Sequence, residues 1–176
     1  MALHESFSSF LKDSFCEFLK ATELCLHKKS DGNYLGLPAT ALMFLIADSL
    51  GSYHRQRAGF TVNVDGKDVA INGNNFQHYY IFNSNYYELN LSKAAMRNLY
   101  EKYRCLLLHN TSMPFDGCCL FEGIPSEAPF MIHGSLINVN VPAFFRVTQN
   151  AVQAFVKQID NVVPNSEQAR VMRLKR

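Results

Sequence analysis

The stretch Ser92–Asn110, SKAAMRNLYEKYRCLLLHN, decides how the rest of the chain is read. On a helical wheel of about 100° per residue, Met96, Leu99, Tyr100, Tyr103, Leu106 and Leu107 fall on one continuous arc. Ser92 stands where a helix needs a side-chain oxygen for its first free N–H groups. Arg97 and Glu101 form an i,i+4 pair of opposite charge on the exposed side. The spacing therefore predicts a helix from Ser92 to about His109. Arg104 lies on the margin of the apolar arc, and His109 would point about 140° away from it on an ideal helix. Asn110, Thr111 and Ser112 compete for backbone hydrogen bonds, and Pro114 disfavours helical geometry at Met113. The last turn is expected to unwind there and let the two side chains approach.

Further out, the same periodicity recurs. Phe7, Phe10, Leu11, Phe15, Phe18, Leu19 and Leu26 predict a helix over about 2–28, with Lys12, Glu17, Lys20 and Glu23 on its other faces. Pro38 is read as opening a second helix, where its missing N–H costs nothing. Leu42, Met43, Leu45, Ile46 and Leu50 make that helix apolar on most sides, so it should be the most buried element. In TVNVDGKDVAI, Val62 and Val64 alternate before an Asp-Gly turn and Val69 and Ile71 after it, which predicts a hairpin. NNFQHYYIFNSNYYEL fits helix or loop, with Asn75 as a start cap. Pro114, Pro125, Pro129, Gly117, Gly123 and Gly134 break residues 110–141 into short pieces, among which CCLFEG and SLINVNV read as strands. Pro142 opens a last helix with the stripe Phe144, Thr148, Val152, Phe155, Val156 and Ile159. The fold class expected is mainly α: a helical bundle of four or five helices with one or two small β-hairpin insertions. Residues 1–162 form a single domain in this reading, and 163–176 a basic, flexible tail carrying Arg170, Arg173, Lys175 and Arg176.

Composition sets bounds on function. The 176 residues are 48% hydrophobic and only 18% charged, with 14 Phe and 8 Tyr, so some apolar surface is expected to be covered by a partner, such as a second copy. A net charge of +2 permits contact with nucleic acid without the basic stripe of a dedicated duplex binder. The opening MALHESFSSFLKDSF is interrupted by His4, Glu5, Lys12 and Asp13 and does not read as a signal peptide. LPATALMFLIADSL stops at Asp48, too short to span a bilayer. Cys16, Cys25, Cys105, Cys118 and Cys119 show no CxxC spacing and read as reduced thiols, so the expected location is the cytoplasm.

Arg104 and His109 carry the chemistry. A histidine exchanges a proton with a ribose 2′-hydroxyl or a leaving 5′-oxygen near neutral pH, and a helix C-terminus favours its protonated form. An arginine binds a phosphate bidentately and stabilises charge gathering on its oxygens. Together they could cleave RNA without a metal. YRCLLLHN, after a tyrosine-rich helix and before a Pro-containing loop, resembles the Arg-x4-6-His motif of the HEPN superfamily of small helical bundles. The resemblance implies a metal-independent endoribonuclease of a toxin–antitoxin or antiphage system. It further implies a homodimer whose two motifs face each other, RNA as substrate, and an antitoxin or other protein as partner. Arg104 would bind phosphate and His109 act as general acid or base, with Asn110, Arg97 and Tyr100 as RNA contacts. Where that family often has Asn, Asp or His after the arginine, this chain has Cys105. That substitution keeps open a second reading, a noncatalytic dimeric bundle that binds a partner protein or nucleotide.

Other groupings rank lower. Cys105 and His109 have i,i+4 metal-ligand spacing, but adjacent Cys118 and Cys119 do not complete a tetrahedral site, so no metal and no cofactor is expected. His54, Arg55 and Arg57 read as complements to a helix C-terminus rather than an RNA contact. His78 in FQHYY could stack on bases with its aromatic neighbours, yet packing is the preferred reading.

Overall fold

A computed structural model describes residues 6–27, 29–30, 33–73, 75–105, 118–167 and 169–170. Five helices surround one aromatic core among these residues, with three small sheets set between them. Helix α1 (Phe7–His27) starts where the Ser6 hydroxyl accepts the Ser9 N–H at 3.1 Å. It turns Leu11, Phe15 and Thr22 inward. Helix α2 (Gly36–Tyr53) begins two residues before Pro38, which sits in the first turn, where no N–H has an intrahelical partner. Ala39, Met43, Phe44, Ile46, Ala47 and Leu50 are all buried, as expected of a helix apolar on most sides. Burial of each large side chain contributes roughly 1.5–3 kcal/mol against the entropy of ordering the chain.

Between these two helices lies the short ladder β1 (Lys29–Ser30) with β2 (Asn33–Tyr34). The Asp-Gly hairpin is β3 (Val62–Val64) with β4 (Lys67–Val69), in the register Val62↔Val69 and Val64↔Lys67. Asp65 (φ 51°) and Gly66 (φ 77°) both take the left-handed backbone that a two-residue turn of this hand requires. Val62, Val64 and Ile71 bury against Tyr80 and Met96. The ambiguous aromatic stretch becomes α3 (Asn75–His78), with Asn75 its first helical residue, running into a 3₁₀ segment at Tyr79–Asn83. Gly51 makes this junction possible, because a Cβ there would lie 2.1 Å from the His78 carbonyl oxygen. Only glycine lets α2 and α3 touch so closely.

Ser92 caps α4 (Lys93–Leu99) as expected, accepting the Ala95 N–H at 3.1 Å. The winding then widens to a π-helix over Tyr100–Cys105. The rest of the segment expected to be helical, Leu106–His109, lies outside the described residues. The strands β5 (Cys118–Phe121), β6 (Phe130–His133) and β7 (Leu136–Asn140) form a sheet in the order β5-β7-β6, with β5 parallel and β6 antiparallel to β7. β5 and β7 match the two expected strands; β6 was not anticipated. Helix α5 (Val141–Val162) follows directly, capped by Asn140, whose side chain accepts the Ala143 N–H at 3.3 Å. Its stripe packs against α1 and α2 through Phe144, Thr148, Val152, Phe155 and Ile159.

Phe44 stands at the centre, its ring centroid 5.1 Å from Phe144, 5.7 Å from Tyr103 and 5.9 Å from Tyr79. Packing does not stop at Val162: Val163, Ser166 and Ala169 are buried, and Glu167 meets Arg55 at 3.1 Å. The start of the segment read as a flexible tail is therefore part of the packed body. Residues 171–176, with Arg173, Lys175 and Arg176, lie outside the described residues. No helix among the described residues is long and apolar enough to cross a membrane.

Candidate active site around Arg104

The π-wide turn places two neighbouring side chains on fixed partners. Tyr103 is fully buried and its hydroxyl donates to the Ile137 carbonyl at 2.6 Å, which ties the turn to β7. Burial pushes the Tyr103 pKa well up, so the phenol stays a donor. Lys102 Nζ donates to the Ser135 carbonyl on the same side. With Tyr103 pinned, Arg104 reaches into the junction of α2 and α3, where its Nη2 donates to Asp48 Oδ2 at 3.3 Å. The other carboxylate oxygen, Oδ1, lies 2.7 Å from His78 Nδ1. Three ionisable side chains from three elements thus converge, 16%, 17% and 9% exposed for Arg104, Asp48 and His78.

Each contact has a local cause. Asp48 is the single charged residue of α2 and would be a costly lone carboxylate without a cation beside it. It lies three residues before Gly51, so the close approach that glycine permits brings His78 to its face of the helix. Because a carboxylate oxygen only accepts, Nδ1 of His78 carries the hydrogen and Nε2 is left as the second position. That Nε2 is buried and finds no hydrogen-bond partner among the described residues. Burial opposes the charge on Arg104, but the Asp48 carboxylate and Tyr79 more than offset it, and its pKa stands above the ordinary arginine value. The guanidinium also lies 5.7 Å from the centre of the Tyr100 ring. Burial raises the Tyr100 pKa, and the hydrogen bond with the Cys105 thiol raises it further.

Chemically, the cluster is an arginine oriented by a carboxylate that a histidine in turn orients. Such an arginine keeps its charge at every working pH, and the planar fork of a guanidinium matches the geometry of an anion. Of the residues singled out in the sequence, Arg104 and Tyr100 come together here. Arg97 lies further along the same surface, 4.0 Å from Glu101 and 5.1 Å from the centre of the Phe76 ring. His109 and Asn110 lie outside the described residues. The sequence reading missed Asp48, taken only as the end of an apolar run, and it took His78 as packing without its carboxylate partner. One signal was available: an acid in a helix otherwise free of charge needs a cation within reach.

The remaining candidates resolve into structure. His54 is buried, stacked 3.9 Å from the Phe60 ring, with Arg57 Nη1 at 3.3 Å from its Nδ1. Burial and the Arg57 charge lower its pKa to about 3, so it is a neutral core residue and no complement to the helix end. Among the described residues no three His, Cys, Asp or Glu side chains gather as metal ligands would. A separate cavity of about 620 Å³, lined by Tyr86, Glu88, Glu127, Phe130, Arg146 and Asn150 among others, does not include the Arg104 cluster. No family model matches the chain, and no curated protein and no solved structure matches it either.

Proposed function

We propose that the protein is a metal-independent endoribonuclease in which Arg104 binds the scissile phosphate and His109 is the general acid or base. The observation that carries this reading is the hold on Arg104: Asp48 at 3.3 Å and the buried Tyr103 beside it fix a guanidinium at the end of the π-wide turn. Preorganised positive charge of this kind stabilises a phosphorane-like transition state without reorganising when the charge develops. His109 follows Arg104 by five residues in the sequence and lies outside the described residues, while the π-type turn over Tyr100–Cys105 is of a kind that concentrates at functional sites.

The chemistry balances without a metal. The ribose 2′-oxygen attacks phosphorus as its proton passes to a base, the bond to the 5′-oxygen breaks, and a proton is delivered to that oxygen. The products are a 2′,3′-cyclic phosphate and a 5′-hydroxyl. Arg97, Tyr100 and Asn110 are the proposed flanking RNA contacts, and a homodimer restrained by a protein antitoxin is the proposed assembly. The test is cleavage of RNA by the purified full chain in excess EDTA, read by the chemistry of the new ends. We expect cyclic-phosphate ends from the parent and none from His109→Ala, with fold and oligomeric state unchanged. Full cleavage by His109→Ala would sink the reading.

Two observations favour a second reading. Arg104 already carries a carboxylate counter-ion, which an incoming phosphate must share or displace, and Cys105 stands where the resembled family often has a polar residue. On that reading the domain is a noncatalytic dimeric bundle that binds a protein or nucleotide. Absence of cleavage together with tight binding of a nucleotide would select it.

A further inference from the structure

Four side chains from three segments form a continuous row in which two rings lie between two guanidinium groups. Arg97, on α4, lies 5.1 Å from the centre of the Phe76 ring, contributed by α3. Phe76 meets Tyr100 with ring centroids 5.9 Å apart at 66°. Tyr100 in turn lies 5.7 Å from the Arg104 guanidinium. Behind this row, Tyr80 and Tyr79 hold the two rings edge-on, at 5.5 Å from Phe76 and from Tyr100 respectively. Phe76 and Tyr100 are half-buried, while the Arg97 side chain is 59% exposed.

Packing alone does not call for such a row. A cation above an aromatic ring gives roughly 0.5–1 kcal/mol at an exposed site, too little to explain a side chain held over a ring at a surface. What the row presents to solvent is a flat guanidinium lying over a fixed ring, and unstacked nucleic-acid bases settle on planar guanidinium and aromatic surfaces. The Arg97 charge is open to a phosphate, because its 4.0 Å exposed pairing with Glu101 is weak and readily exchanged. Asp65 also faces this end, its carboxylate accepting the Lys93 N–H at 3.3 Å. Bases in a duplex already stack on each other, so a surface of this kind discriminates by strandedness and little by sequence.

We propose that the Arg97–Phe76–Tyr100–Arg104 row is a binding surface for single-stranded RNA, a base stacking on the outer face of Arg97 and the strand leading on to Arg104. The choice of RNA as ligand rests on the ribonuclease reading; the preference for unpaired bases rests on the row itself. Phe76 thereby gains a specific role: it supports the Arg97 plane from beneath.

The experiment uses the full chain with His109→Ala, so that the probe survives, and follows fluorescence anisotropy of a short labelled RNA of mixed sequence, single-stranded or annealed to its complement. Tighter binding of the single strand is expected. Arg97→Ala and Arg97→Lys should each weaken single-strand binding by about tenfold, since lysine keeps the charge and loses the plane. The lysine variant should bind the duplex like its parent. Unchanged single-strand binding by Arg97→Lys, or tighter binding of the duplex, overturns the proposal. Cleavage by the parent chain is scored separately. Cleavage with binding indifferent to Arg97 removes the row and keeps the ribonuclease, whereas no cleavage with plane-dependent binding removes the ribonuclease and keeps the row.

Discussion

His54 and His78 are both buried histidines near an arginine, yet their surroundings are opposite. His54 is 1% exposed, and Arg57 donates towards its Nδ1 from 3.3 Å. Its Nδ1 must accept, so the hydrogen sits on Nε2 and the ring stays neutral. His78 is 7% exposed and turns the same nitrogen to the Asp48 carboxylate at 2.7 Å, so there Nδ1 is the donor. In the first case the arginine would repel a protonated ring, so the histidine stays neutral and serves packing. In the second a carboxylate stands between histidine and Arg104 and joins the three side chains into one unit. Burial alone therefore says nothing about the use of a histidine; the group that faces it does.

The contrast can be broken most severely at Asp48. Replacing it with Ala leaves Arg104 largely buried without its carboxylate, and loss of one partner of such a pair costs about 3–5 kcal/mol. Urea unfolding should show that loss as a lower midpoint at constant slope, and a loss under about 1 kcal/mol would mean that Arg104 simply swings to water. Gly51→Ala comes next. Its Cβ would fall 2.1 Å from the His78 carbonyl oxygen, so α2 and α3 must part. Overpacking of this kind costs about 1–3 kcal/mol and should expose the His78 ring N–H to solvent exchange in proton NMR. Unaltered exchange would show that the junction yields elsewhere.

At His54 the contrast sharpens through pH. Its folded pKa is about 3 against an ordinary 6.5, so the unfolded chain binds the proton more readily between those values. The stability tied to its neutral form is whole above 6.5 and is lost as pH falls towards 3, by up to about 1.4 kcal/mol for each pH unit. His54→Phe should flatten this part of the acid limb while keeping the stack on Phe60. An acid limb as steep as the parent's would assign the loss to other groups. The smallest effect is expected at Glu101→Gln, which ends an exposed i,i+4 pair and should shift stability by less than about 0.5 kcal/mol.

Local rules carried far along the chain. The Asp65-Gly66 hairpin, the Ser92 cap, the burial of α2 and the inward stripe of α5 all follow from contacts a few residues apart, and each stands as read. Strand β6 escaped because Phe130–His133 is short and is defined by its pairing with β7 rather than by alternation. The start of α2 shifted because proline is tolerated anywhere in a first turn, so Pro38 marked the turn and not its first residue. The winding over Tyr100–Cys105 is widened where it holds Tyr103 on β7 and Arg104 on α2, two partners outside its own periodicity. The same holds for the site. Arg104 was legible as a margin residue, but Asp48 lies 56 positions from it and 30 from His78, and no window along the sequence joins them.

In the proposed function Asp48 acts in RNA cleavage through Arg104. It is tested most directly by kcat/KM for a single-stranded RNA in EDTA, measured for the parent, Asp48→Asn, Arg104→Ala and the double variant, each checked for folding by circular dichroism. A fall is expected for Asp48→Asn, a larger fall for Arg104→Ala, and a double variant no slower than Arg104→Ala alone. A parent that does not cleave, or an Asp48→Asn variant that cleaves at the parent rate, would contradict it.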